Sequence, residues 1–353
     1  MSEKELLIKD LGEFSLIEHL VEVLGDAARG TGQGVIRGIG DDAAVLQVTS
    51  GQRLLVSCDM FIEGIHFNWH YCSPHQLGWK ALVANLSDIA AMGGRPRWAL
   101  VSLGLPPETP LKRVEGIYRG IAQLCKEFGV TIVGGDTTSS PRGTVLDITV
   151  LGESSRSKIA YRSGASEGDW LLVTGELGKA AAGLACLQEG IECDASVKDV
   201  IQAHLMPWPR VREAAVLMSS NLVGALNDIS DGLVSEAAEI ALASGLGVVL
   251  WEERIPVSSS AKKVAGRLDC DPLHWALYGG EDFELLLTIP GGKGAPMRIR
   301  RLVRSLKKTT GTSLTIIGRM VPPEKGVRLI KKDGSVVELK ERGYDHFAVN
   351  NQN

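Results

Sequence analysis

The sequence predicts a two-domain α/β (α+β) protein, and three observations carry that expectation. At 353 residues the chain exceeds ordinary single-domain size. Short β-branched runs alternate with segments of helical apolar spacing in both halves. Between the halves lies a polar, loop-like stretch, Ser154–Asp169. The expected domains are therefore residues 1–155 and 156–353, with mixed rather than fully parallel sheets.

In the first half, Arg53–Cys58, Trp98–Gly104, Val130–Val133 and Thr144–Gly152 read as strands, bounded by turn residues. Pro74–Met92 and Leu111–Phe128 have helical spacing, and Pro74 and Pro110 suit first-turn positions where a missing N–H costs little. The second half opens with a strand at Trp170–Thr174 and a glycine turn into a helix, GELGKAAAGLACL. Helices near Ala195–Leu205 and Arg210–Ser219 flank the breaker Pro207–Pro209. A helix at Leu233–Ala243 follows, then strands at Gly247–Leu250, Phe283–Ile289, Leu314–Arg319 and Gly326–Ile330. Arg298, Arg300, Arg301, Arg304, Lys307 and Lys308 are spaced as the solvated face of one further helix.

Composition narrows the partners. A net charge of −4 and a pI near 6.0 give no footing for nucleic acid or an acidic membrane surface. The start, MSEKELLIKD, lacks an apolar signal region, and no apolar run is long enough to cross a bilayer. The six cysteines are scattered without a CxxC pair, which suits a reducing cytoplasm rather than a disulfide framework or zinc site.

Aspartates carry the chemistry. Asp41 and Asp42, Asp59, Asp88, Asp136, Asp228 and Asp231 each sit in a short turn-like segment after an apolar run, among Gly, Ser and Thr. Carboxylates gathered in one place repel unless cations neutralise them. Mg²⁺, a hard ion that prefers oxygen ligands, brings phosphates with it. Asp88 lies inside a helical pattern beside Asn85 and Ser87, where aspartate is a mediocre choice for stability alone. Asp136 follows Gly134 and Gly135, where a backbone can approach a ligand closely. GELGKAAAG is not a Walker A motif: its glycines are too close and Ala180 stands where Ser or Thr should hold the metal. Any ATP is thus bound without a P-loop. Glu281 in GGED, His66 and the Tyr344–His346 stretch are further candidates for substrate contact.

Taken together, GEFSLIEHL, GIGDDAAVL, SCDMFIEGIHF, KALVANLSDIAAMGG, IVGGDTT, YRSGASEGDWLLVTG, DISDGL, YGGEDFELLL and GYDHFA resemble the thiamine-monophosphate kinase family, in the aminoimidazole-ribonucleotide-synthetase-like superfamily. The stretches run in family order from Gly12 to Ala348. The resemblance implies transfer of the ATP γ-phosphoryl group to thiamine monophosphate. It also implies a homodimer whose N-terminal domains pair their sheets into a shared barrel. By motif, Asp42, Ser57, Cys58, Asp59, Asp88, Asp136, Asp228 and Asp231 fall at positions on or near several Mg²⁺ ions. Gly135, Asp136, Arg162 and Ser230 resemble ATP contacts, and His66, Glu281 and Tyr344 resemble residues that hold thiamine monophosphate. No general base is implied, because the acceptor phosphate is already ionised. Cys58 departs from the family, which often has Thr there; a thiol suits Mg²⁺ poorly, so the expected ligand is its carbonyl. The rival from the same superfamily is an ATP-dependent synthetase acting through a phosphorylated intermediate.

Overall fold

The computed structural model describes residues 6–28, 34–40, 42–191, 193–195 and 197–339. They fall into two compact units, one taking the chain up to Ala90 with Gly94–Ile159, the other Ala91–Gly93 with the chain from Ala160 on.

The first unit runs α1 (Ile8–Leu11), α2 (Glu13–Leu24), β1 (Val35–Arg37), β2 (Val45–Leu46), β3 (Gln52–Ile62), α3 (Pro74–Ala91), β4 (Arg95–Leu105), α4 (Leu111–Phe128), β5 (Thr131–Ser139) and β6 (Val145–Ser155). Its main sheet has the order β3-β6-β4-β5, antiparallel except for the parallel β4–β5 pair. Period-two alternation splits this sheet into two faces. Val101, Leu103 and Leu105 on β4 and Leu146, Ile148 and Val150 on β6 are all buried. The opposite face carries Leu100, Ser102, Asp147 and Thr149, each half-buried. Helix α3 is buried nearly all round, with Leu77, Leu82, Leu86 and Ile89 exposed by no more than 1 %. It crosses α4 closely because Gly78 and Gly120 have no side chain. A Cβ on Gly78 would stand 1.9 Å from the Ile117 carbonyl oxygen, and one on Gly120 2.1 Å from that of His75.

The second unit runs β7 (Trp170–Thr174), α5 (Lys179–Gln188), α6 (Lys198–Leu205), α7 (Val211–Ser219), β8 (Leu226–Asp228), α8 (Leu233–Ala243), β9 (Gly247–Trp251), α9 (Ser259–Leu268), α10 (Pro272–Tyr278), β10 (Leu285–Ile289), α11 (Ala295–Thr310), β11 (Leu314–Val321), β12 (Val327–Ile330) and β13 (Val336–Glu338). Its sheet has the order β13-β12-β9-β11-β7-β10-β8, with only β12–β9 parallel. Both sheets are mixed, as the sequence predicts. The core gathers Leu171, Val173, Ile229, Leu233, Ile240, Leu250 and Leu286. The basic residues of α11 lie outside its buried stripe of Ile299, Leu302 and Leu306.

Three local expectations need correction. Asp59 is not in a turn, because β3 continues to Ile62. Asp136 likewise lies within β5, whose pairing with β4 shifts register at Val133 and then continues through Gly134 and Gly135. The strand expected from Phe283 begins at Leu285, since Phe283 has φ 48°.

Candidate active site

In the first unit, β3 sends successive side chains to opposite faces, so Ser57 and Asp59 share one face and Cys58 takes the other. The Ser57 hydroxyl donates to Asp88 Oδ2 on α3. Asp88 is half-buried, while its neighbours Leu86, Ser87, Ile89 and Ala90 are buried. The Cys58 thiol donates to Asp147 Oδ2 at 3.2 Å. A hydrogen bond with Thr149 lowers the Cys58 pKa, but burial and the Asp147 and Asp59 charges outweigh it and leave the thiol above its ordinary value. Asp147 pairs in register with Ser102, and Ser102 with Asp136, which sets these three residues in one row across β6, β4 and β5. Asp147 was not singled out from sequence; the alternation of β6 around it was the available signal.

Asp42 and Asp136 line one cavity of about 240 Å³ with Gly40, Gly135, Leu100 and Tyr118. The Thr137 N–H donates to Asp136 Oδ1 at 2.9 Å. A Cβ on Gly135 would lie 1.9 Å from the Val101 carbonyl oxygen, so the close approach of β4 already demands glycine there. His66 is half-buried, accepts the Ile62 N–H on Nδ1 at 3.0 Å and packs against Phe61.

In the second unit, Asp228 ends β8 and is buried, while Ser230 and Asp231 form the turn into α8. Two residues not singled out from sequence hold this turn. Glu236 Oε1 accepts from the Asp231 N–H at 3.2 Å and the Ser230 hydroxyl at 3.3 Å. Asn227 Nδ2 donates to Glu236 Oε2 and, at 3.1 Å, to Glu239 Oε2. Arg162 joins the same group, with Nε donating to Asn227 Oδ1 at 3.1 Å and Nη2 lying 3.3 Å from Glu239 Oε2. Burial first, then the Glu239 and Asp228 charges, raises the Glu236 pKa well above the carboxylate range. The sequence signal for Glu236 was an acid in the first turn of a helix, reaching back to a preceding N–H.

The GGEDFE segment is zipped to this turn. The Glu281 N–H donates to the Ser230 carbonyl at 2.7 Å, and the Phe283 N–H to that of Ile229 at 2.9 Å. Glu281 (φ 67°) and Phe283 (φ 48°) both hold left-handed backbone, a strain that the surrounding bonds over-determine. The Glu281 carboxylate lies 3.2 Å from buried His204. Glu284 is gripped by Arg210 through Nε at 2.8 Å and Nη2 at 2.6 Å, and by the Thr174 hydroxyl at 2.6 Å. Asp282 accepts from the N–H groups of Gly178 (2.6 Å) and Ala180 (3.1 Å), capping α5. Asp282, Glu284 and Arg210 border a cavity of about 540 Å³ lined also by Lys179, Asp199 and Trp208.

Asp282 keeps some solvent access as a residue, yet enclosure of its carboxyl pushes its pKa up to about 7, against the donated N–H groups. An acid whose folded pKa is raised holds more protons folded than unfolded. Stability is then greatest below its ordinary value of 3.8 and falls as pH rises toward about 7. Asp282→Asn cannot ionise and is expected to flatten that fall, by at most about 1.4 kcal/mol per pH unit. Urea unfolding of both proteins across the window checks this, and a constant difference between them contradicts it.

Several expected site residues thus meet in pairs or small networks within each unit. Among the described residues, no three His, Cys, Asp or Glu side chains are grouped as a ready metal site. Asp41 and Tyr344–His346 lie outside the described residues.

Residues 40–154 match the N-terminal domain of AIR synthase related proteins, and residues 166–330 match the C-terminal domain. Thiamine-monophosphate kinase of Bacillus subtilis (strain 168) is 37% identical over 313 residues, covering 88% of this chain and 93% of that protein. The Escherichia coli (strain K12) thiamine-monophosphate kinase is 37% identical over 341 residues, 96% of this chain and 98% of that one. Among solved structures, the thiamine-monophosphate kinase of Stenotrophomonas maltophilia K279a superposes with a TM-score of 0.78 at 32% identity, covering 93% of this chain and 98% of that chain. AaThiL complexed with AMPPCP and TMP gives a TM-score of 0.73 at 32% identity, covering 98% of this chain and all (100%) of that one.

Proposed function

Because the chain belongs to the thiamine-monophosphate kinases of the AIR synthase related family, we propose that it transfers the γ-phosphoryl group of ATP to thiamine monophosphate, giving thiamine diphosphate and ADP. One observation carries the reading: a full-length relative is solved with both AMPPCP, an ATP analogue, and TMP bound. Acceptor specificity tests it. ADP release in Mg²⁺ and ATP is expected with thiamine monophosphate and not with thiamine or aminoimidazole-pathway substrates; release with one of the latter instead overturns the assignment.

The acceptor oxygen is anionic, so the obstacle is repulsion between two phosphates rather than a missing base. Bound Mg²⁺ would screen that repulsion and favour in-line displacement. The donor set suits a hard ion, since carboxylates and a serine hydroxyl dominate it. In this reading Asp42, Ser57, Asp59, Asp88, Asp136, Asp228 and Asp231 hold Mg²⁺. Cys58 contributes through its carbonyl, which accords with a thiol engaged by Asp147. Gly135, Asp136, Arg162 and Ser230 contact ATP, and His66, Glu281 and Tyr344 hold thiamine monophosphate.

The functional form in this reading is a homodimer. Leu54, Val56 and Met60 leave 44%, 61% and 50% of their surfaces exposed along β3, an apolar row that a second copy's sheet would cover on closing a barrel. Val56→Glu is expected to shift the mass measured by light scattering from dimer to monomer; a wild type already monomeric contradicts the assembly. No helix among the described residues is long and apolar enough to cross a membrane. The absence of any disulfide among the cysteines accords with a cytoplasmic location.

A further inference from the structure

Arg162 and the Ser230–Asp231 turn are more than sixty residues apart in sequence, yet one buried polar chain ties them together. Asn227 and Glu236 are its links, each 2 % exposed. Asn227 spends its carbonyl on Arg162 and its amide on Glu236 and Glu239, while Glu236 grips the turn at both Ser230 and Asp231. Helix α8 sets the spacing. Glu236 and Glu239 lie three residues apart on one face, and Ser244, just past the helix, donates to the Arg162 carbonyl at 3.0 Å.

An amide and a carboxylate buried together are a costly way to fill a core, and well-packed apolar residues of similar size serve stability as well or better. What the polar pair adds is geometry. The Arg162 side chain is 52% exposed, and a free guanidinium on a flexible stem would lose rotamer entropy whenever it closed on a phosphate. Held by Asn227 and Glu239, it is ordered before any ligand arrives, with part of its five-donor fork left over.

We propose that Asn227 and Glu236 are positioning residues that lock Arg162 to the Ser230–Asp231 turn, so that both segments meet the nucleotide as one preformed clamp. This rests on the reading of Arg162 and Ser230 as ATP contacts. Neither Asn227 nor Glu236 touches the nucleotide; each acts through its neighbours.

The test is a double-mutant cycle read by calorimetric binding of AMPPCP in Mg²⁺ to the full-length chain. Arg162→Ala and Asn227→Ala are each expected to weaken binding about 10- to 100-fold, the usual range for partners that orient a ligand-holding group. The double variant is expected to bind more tightly than two independent losses would allow, because in the Arg162→Ala background Asn227 has only the Ser230–Asp231 turn left to position. Additive losses overturn the proposal, as does normal binding by either single variant. A merely structural role would lower the melting temperature without this coupling. Should Asn227→Ala fail to fold, Glu239→Gln on the helix surface replaces it, with a smaller loss that vanishes in the Arg162→Ala background. The same loss in both backgrounds overturns the clamp. Binding rather than turnover is read, so a chain that binds nucleotide without phosphorylating thiamine monophosphate refutes the proposed function and still decides the clamp.

Discussion

Asp88→Asn is expected to lower turnover at limiting Mg²⁺ by about 100-fold or more, since loss of even an outer partner of a metal ligand costs 10- to 100-fold. The substitution is close to isosteric, and Asn Oδ1 can still accept the Ser57 hydroxyl that Asp88 accepts. The fold around it, with Asn85, Leu86 and Ser87 fully buried, therefore stays intact while one negative charge is lost. The defect is expected chiefly in the Mg²⁺ dependence, with partial recovery as Mg²⁺ is raised. Steady-state rates across a Mg²⁺ titration decide it, and near-normal activity at low Mg²⁺ contradicts the role of Asp88 as a ligand. Asp136→Asn is expected to behave alike.

The largest stability effect is expected at Arg210. Arg210→Ala removes both guanidinium bonds to Glu284, a residue only 3 % exposed, and strands its carboxylate beside the Thr174 hydroxyl. Breaking a buried pair by deleting one partner costs about 3–5 kcal/mol. Urea unfolding of the variant measures this, and a loss below about 1 kcal/mol, the scale of a surface ion pair, contradicts it. Replacing Arg210 and Glu284 together with apolar residues of similar volume is expected to recover only part of the loss, because buried Glu213, 3.7 Å from Arg210, still loses its cation.

Regular elements were legible where one physical signal dominated. The alternation of β4 and β6 and the apolar stripe of α4 each follow from a single face being buried. The glycines misled at β5. Gly134 and Gly135 read as a turn, yet the strand runs through them because the backbones of β4 and β5 come too close for a side chain at Gly135. Phe283 misled in the opposite sense, as an apolar residue of strand type held in left-handed backbone by the bonds of the GGEDFE segment.

The aspartates of the candidate site stood out by recurring after apolar runs among Gly, Ser and Thr, and Asp88 by lying within a buried helix. The residues that brace their neighbourhoods did not. Glu236, Asn227 and Asp147 are ordinary in their own segments and gain meaning only through partners brought up by the fold, as Asp147 does from Cys58, 89 positions away. Arg210 and Glu284, 74 positions apart, are illegible for the same reason.

Direct phosphoryl transfer from ATP to thiamine monophosphate is the activity on which every proposed site role depends. The most direct measurement is the product mass after turnover with ATP carrying heavy oxygen in its γ-phosphoryl group. Thiamine diphosphate bearing the whole label in its terminal phosphate, with unlabelled ADP, is the predicted result. Labelled inorganic phosphate released alongside an unphosphorylated thiamine product would contradict direct transfer and assign the chain the chemistry of a synthetase.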